Sequence, residues 1–126
     1  MIKPNLSVPV PLDIKLLQKT KVVEIHFDNN EKFSLSCEYL RVFSPSIEVK
    51  GYGSQPGQLV FGKKEVNIVD ITPVGHYAVK FVFDDGHNTG IYSWETLYEL
   101  AVNNAQNWAL YLQRLAKAHA TREPSP

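Results

Sequence analysis

The chain has 126 residues, 44% apolar and 21% charged, an ordinary globular balance for one domain around one core. Thirteen basic and thirteen acidic side chains cancel, which removes the electrostatic warrant for nucleic acid or an anionic membrane surface as a partner. A single cysteine, Cys37, excludes an internal disulfide and a cysteine-cluster metal site, and fits a reducing compartment.

The first ten residues have no apolar run of the secretory-leader kind and are interrupted by Pro4 and Pro9; no segment approaches the roughly 20 apolar residues of a bilayer span, so a cytoplasmic location is expected. Residues 1–13 read as an N-terminal arm, 14–119 as the folded domain and 120–126 as a disordered tail. Ile14, Leu16 and Leu17 are expected to lay the end of the arm on the core. Val23, Ile25 and Phe27 alternate with Glu24 and His26 as a half-buried strand, Asp28-Asn29-Asn30 turns the chain, and Phe33, Leu35 and Cys37 alternate on the return. A short helical turn over 38–43 stops at Ser44-Pro45, because the residue before proline avoids the helical region. Gly51, Gly53, Pro56, Gly57 and Gly62 make 49–63 loop-like.

Val66, Ile68 and Ile71 begin another strand, expected to break at Thr72-Pro73-Val74-Gly75. Tyr77, Val79, Phe81 and Phe83 alternate along the next, Asp84-Asp85-Gly86-His87-Asn88 is a strong turn signal, and 90–94 is the return strand. Ser93 suits a helix N-cap, with Glu95 in the first turn where the helix dipole favours an anion. One helix is expected from there to His119, burying Leu97, Ala101, Asn104, Trp108, Tyr111 and Leu115. Two stretches echo one another. Val23–Asp28 matches Val79–Asp84 at an offset of 56 residues, and Ser36–Leu40 matches Ser93–Leu97 at 57. The predicted fold is α+β: a small, mostly antiparallel sheet of two hairpin–helix units, covered by a long C-terminal helix.

Several residues have the right chemistry for a site. His26 and Asp28, with His76, His87 or His119, have the composition of a two-histidine, one-carboxylate iron(II) site. The internal repeat instead makes Asp28 a turn residue and His26 an outward strand position. Asp84, Asp85 and His87 at a hairpin tip suit a divalent metal or, more simply, a turn stabilised by carboxylates. Cys37 reads as a small buried hydrophobe. Arg41, Tyr92 and Trp94 form a candidate functional surface together with Asp84, Asp85 and His87, while Trp108 reads as core. The glycines of 51–62 lack the spacing and the lysine of a phosphate loop, and no nucleophile–base–orienter triad is legible.

Three segments carry a resemblance: Glu38–Arg41 with Ser44-Pro45, Pro73–Ala78, and above all Phe83–Trp94. Together they resemble the N-terminal domain of gamma-butyrobetaine hydroxylases, over about residues 14–118. The resemblance implies a module that precedes an iron- and 2-oxoglutarate-dependent domain in the hydroxylases. The module also stands alone in bacteria, or is fused to iron–sulfur-carrier ATPases. In the hydroxylases it holds a structural zinc through three cysteines and a histidine. Those positions fall here on Ser44, Ser46, Val49 and His87, so no zinc is expected. This chain is similar to the stand-alone form, with the catalytic iron domain absent. The expectation is a non-catalytic binding module with a degenerate zinc site, no catalytic or cofactor-binding residues and an unidentified protein partner. The alternatives are a zinc- or iron-binding accessory to iron–sulfur chemistry, and a small enzyme or dioxygenase-associated subunit using His87 with Asp84 or Asp85. A homodimer through an edge strand or the final helix stays open.

Overall fold

The computed structural model of the chain describes residues 8–46 and 58–124. Strand β1 (Pro11–Leu17), β2 (Val22–Phe27) and β3 (Lys32–Ser36) form one antiparallel sheet in that order, followed by helix α1 (Cys37–Val42). A second antiparallel sheet contains β4 (Ile68–Val74), β5 (Ala78–Phe83) and β6 (Ile91–Ser93), followed by α2 (Trp94–Val102) and α3 (Asn104–Lys117). The α+β class holds, but the strands fall into two three-stranded sheets rather than one.

The repeat is visible in the hydrogen bonds. Asp28 Oδ1 accepts from the Val10 amide at 3.2 Å, and Asp84 Oδ1 from the Asn67 amide at 3.1 Å. The Asp28 amide donates to Val10 O and the Asp84 amide to Asn67 O, both at 2.9 Å. Each carboxylate thus clasps the chain as it enters its sheet. Asn30 and Gly86 occupy the same left-handed turn position, at φ 71° and 92°, and each donates to the phenylalanine carbonyl three residues before it at 3.1 Å. Ser36 and Ser93 then cap α1 and α2, their Oγ atoms accepting from Tyr39 N and Thr96 N.

Both sheets bury one face in a common core. Val23, Ile25, Phe27 and Leu35 come from the first, Ile68, Phe81, Phe83 and Tyr92 from the second, and Tyr39, Leu40, Leu97 and Leu100 from the helices. Burying side chains of this size contributes about 1.5–3 kcal/mol each before entropy is counted. Tyr39 Oη donates to Leu100 O at 2.6 Å and Tyr92 Oη donates to Leu40 O, so each half satisfies a buried hydroxyl on the other.

Four expectations change. The strand that opens the first sheet starts at Pro11, inside the segment read as an arm, because Ile14 and Leu16 pair with Ile25 and Val23. Strand β4 runs through Pro73, which lies opposite Val79; an edge strand tolerates a proline whose missing N–H faces away from its neighbour. The single C-terminal helix is two, separated at Asn103 (φ −103°, ψ 17°). The break lets Leu97, Leu100 and Ala101 reach the main core, while Tyr111 and Leu115 pack with Val42 in a satellite cluster. Residues 120–124, expected to fray, are docked. Gly62 N donates to Thr121 O and Lys64 N to Arg122 O, each at 2.9 Å. Arg122 grips the buried Glu38 carboxylate through Nε at 2.9 Å and Nη2 at 2.8 Å. Among the described residues, no helix is long and apolar enough to cross a membrane.

Candidate functional site

Helix α1 is six residues long and ends with Val42, so the chain turns through Phe43 and Ser44 toward the second hairpin tip. That tip is set by the turn after β5, where Phe83 N donates to His87 O at 3.0 Å and His87 N to Asp85 Oδ1 at 3.1 Å. Together these bring the three described positions of the expected zinc quartet close to one another. Ser44 Oγ and His87 Nε2 lie 2.9 Å apart, and Ser44 Oγ also accepts from Ser46 N at 3.2 Å. Ser46 Oγ pairs with Thr89 Oγ1 at 2.8 Å. Ser44, Ser46 and His87 are all buried. A buried polar cluster is stable only when its members satisfy one another, and these do. The space is full: a Cβ on Gly90 would lie 2.3 Å from Ser44 Oγ. Val49, the remaining position, lies outside the described residues.

These residues do not fit zinc. Two neutral hydroxyls are poor donors beside the thiolates such sites use, and the His87 ring nitrogen that faces them is engaged with Ser44. Among the described residues, no group of three or more His, Cys, Asp or Glu side chains is arranged to hold a metal ion. His26 lies on β2 and the Asp28 carboxylate is taken by the Val10 amide, while His76 and His119 are exposed on other elements.

The other singled-out residues divide between bracing and charge. Arg41, in the last turn of α1, donates from Nε to Asp85 Oδ2 at 2.8 Å, and Lys63 Nζ reaches the same oxygen at 2.6 Å. Burial alone would raise the Asp85 carboxyl, but hydrogen bonds from Lys63, the His87 amide and Arg41, with the Arg41 charge, hold it down to about 2. Arg41 Nη1 is buried without a hydrogen-bond partner among the described residues. Asp84, next along, is spent on the strand-entry clasp. Tyr92 is fully buried and its phenol is pushed well above the ordinary range by burial. Trp94 is half-buried and donates its indole N–H to His76 O at 2.9 Å. Burial likewise pushes the Cys37 thiol up to about 11, the behaviour of an inert core cysteine. Trp108 is partly buried against both apolar clusters.

Sequence reasoning missed Lys63, Thr89 and the Glu38–Arg122 pair. Lys63 sits in a segment without periodicity, and Thr89 belongs to the quoted Phe83–Trp94 segment but carries no chemistry of its own. A pairing across 84 residues has no local signature.

The gamma-butyrobetaine hydroxylase-like N-terminal family model matches residues 14–98. A protein solved in solution by NMR is 53% identical, with a TM-score of 0.82, over 100% of this chain and 94% of that one. A second NMR structure is 41% identical at the same TM-score of 0.82, over 95% of this chain and 94% of that one. A crystal structure of a protein of unknown function from Acidithiobacillus ferrooxidans, in the DUF971 family, is 41% identical with a TM-score of 0.62, over 72% of this chain and 91% of that one. No curated protein matches the chain.

Proposed function

Because the chain belongs to the gamma-butyrobetaine hydroxylase-like N-terminal family, we propose that it works as a non-catalytic protein-binding module, with a hydrogen-bonded bracket in place of the zinc that the family resemblance implies. The observation that carries the binding role is a second apolar stripe along the C-terminal helices. Ala105, Ala109 and Leu112 follow at steps of four and three on one face of α3, and Val102, the last residue of α2, lies beside them across the break at Asn103. They line a shallow depression edged by Trp108, beside the stripe that packs Tyr111 and Leu115 inward. Val102 and Leu112 are 46% and 42% exposed. Contiguous apolar surface on a helix marks a place where another protein element packs.

The bracket supports the non-catalytic half of the reading. Ser44, Ser46, Thr89 and His87 hold one another, Asp84 and Asp85 hold backbone and cations, and each therefore has a structural task. The binding role is tested by placing a photo-crosslinking residue at Leu112 and, as control, at the exposed Glu24 on the far sheet. A single adduct from Leu112 and none from Glu24 supports the helix face; equal labelling from both positions refutes it. If the adduct is a second copy of this chain, sedimentation of the free protein as a dimer that Leu112→Glu dissociates identifies it. For the bracket, zinc or iron at or above about one equivalent in protein purified without chelator overturns the reading, and content below about a tenth of an equivalent agrees with it.

A further inference from the structure

We propose that the cleft between the end of α1 and the 59–63 segment is a binding site for a small monocarboxylate, for which benzoate serves as the probe. The cleft has a volume of about 280 Å³ and is lined by Arg41, Lys63 and His87 with Leu59, Val60 and Phe61. Two cations meet one carboxylate there, so Arg41, Lys63 and Asp85 together carry one uncompensated positive charge. The Arg41 side chain is only 12% exposed, and its Nη1 is buried with no acceptor among the described residues. A buried donor of a charged group left without an acceptor is costly, because the group has lost water and gained nothing in return. Asp85 does not relieve it, because its Oδ2 already accepts from both Arg41 Nε and Lys63 Nζ and its Oδ1 from the His87 amide.

An entering carboxylate would meet Lys63, the more exposed of the two cations at 25%, and then the Arg41 side chain, whose covered Nη1 it reaches only if that side chain shifts. The planar donor fork of arginine matches a carboxylate. A monoanion balances the surplus charge, whereas a phosphate dianion would exceed it and face the Asp85 carboxylate. This site is separate from the helix face of the preceding proposal and stands or falls without it.

The test is a titration of the ¹⁵N-labelled full chain with sodium benzoate, alongside sodium chloride at matched ionic strength and sodium phosphate. The Arg41 Nε–H resonance and the Lys63 and His87 amides report. Saturable shifts confined to the cleft, half-complete at or below about 5 mM benzoate, are expected. Arg41→Lys keeps the charge but removes the fork, and weakens binding about tenfold or more. Asp85→Asn removes the competing anion and tightens binding about threefold or more, the opposite of what loss of a merely structural contact would do. Shifts that stay linear to about 50 mM, that sodium chloride reproduces, or that phosphate saturates at lower concentration than benzoate overturn the proposal. So does tightening by Arg41→Lys or weakening by Asp85→Asn in variants whose amide fingerprint is native. Should a variant not fold, the wild-type titration decides alone.

Discussion

Removing the Arg122 side chain should destabilise the protein by about 3 kcal/mol, far more than a substitution near a chain end ordinarily does. Glu38 sits in the first turn of α1 with its side chain 6% exposed, and Arg122 holds both its oxygens, at 2.8 and 2.9 Å. Breaking a buried pair by deleting one partner costs about 3–5 kcal/mol, because the remaining charge is left in a poor solvent. Arg122 is itself 37% exposed, so water reaches the pair from one side and screening lowers that figure to about 2–3 kcal/mol. The guanidinium also lies 5.3 Å from the Trp108 ring centroid, a contact contributing about 0.5–1 kcal/mol. Arg122→Ala is therefore compared with wild type by urea unfolding, followed through Trp94 and Trp108 fluorescence. The double variant Glu38→Gln/Arg122→Ala should recover part of the loss, since the penalty resides in the stranded carboxylate. A loss below about 0.5 kcal/mol in the single variant, or no recovery in the double, would refute the reasoning.

Three further outcomes are expected. Gly90→Ala places a methyl 2.3 Å from Ser44 Oγ and 3.3 Å from Pro45 Cδ, so it should break the Ser44–His87 contact and lower stability by about 1–3 kcal/mol, read by thermal denaturation. Asp85 is held down to about 2 when folded, so it adds stability that is fully present above its unfolded value of about 4 and is lost as pH falls through that window. Asp85→Asn should flatten the acid limb of the stability curve between about pH 4 and 2, removing about 1 kcal/mol from the difference between neutral and acid pH once solvent screening of this partly exposed carboxylate is allowed for. The Cys37 thiol, fully buried and raised to about 11, should react with a thiol reagent at neutral pH only as fast as the protein opens, with full reactivity on unfolding in denaturant.

Much of the frame was legible because its signals are local and periodic. Strands β2 and β5 alternate cleanly, both hairpin turns combine acidic residues with a left-handed position, and both helix-capping serines precede apolar stripes. Strand β1 was not: Asp13 and Lys15 do alternate with Ile14 and Leu16, but Pro9 and Pro11 at its start read as an extended arm, and it lies at a sheet edge. The break at Asn103 was hidden by the same stripe that predicted the helix, which continues in phase across it. At the site, His87 could be grouped with Ser44 and Ser46 only through the family resemblance, since 43 residues of chain separate it from Ser44. The repeat explained Asp28 as a turn residue but left Asp84 between a turn and a metal site, and the Lys63–Asp85 pairing depends on how a loop crosses the tip and leaves no trace in spacing.

The duplicated turns carry a practical consequence. The backbone bond from Phe83 to His87 has its counterpart from Phe27 to Glu31, so the same loop geometry presents an imidazole in one half and a carboxylate in the other. The first accepts the Ser44 partnership; the second binds the Tyr98 hydroxyl on α2. One molecule thus contains two instances of a single scaffold bearing different chemistry. Exchanging the two residues asks, within one polypeptide, how much each tip owes to its side chain and how much to its surroundings.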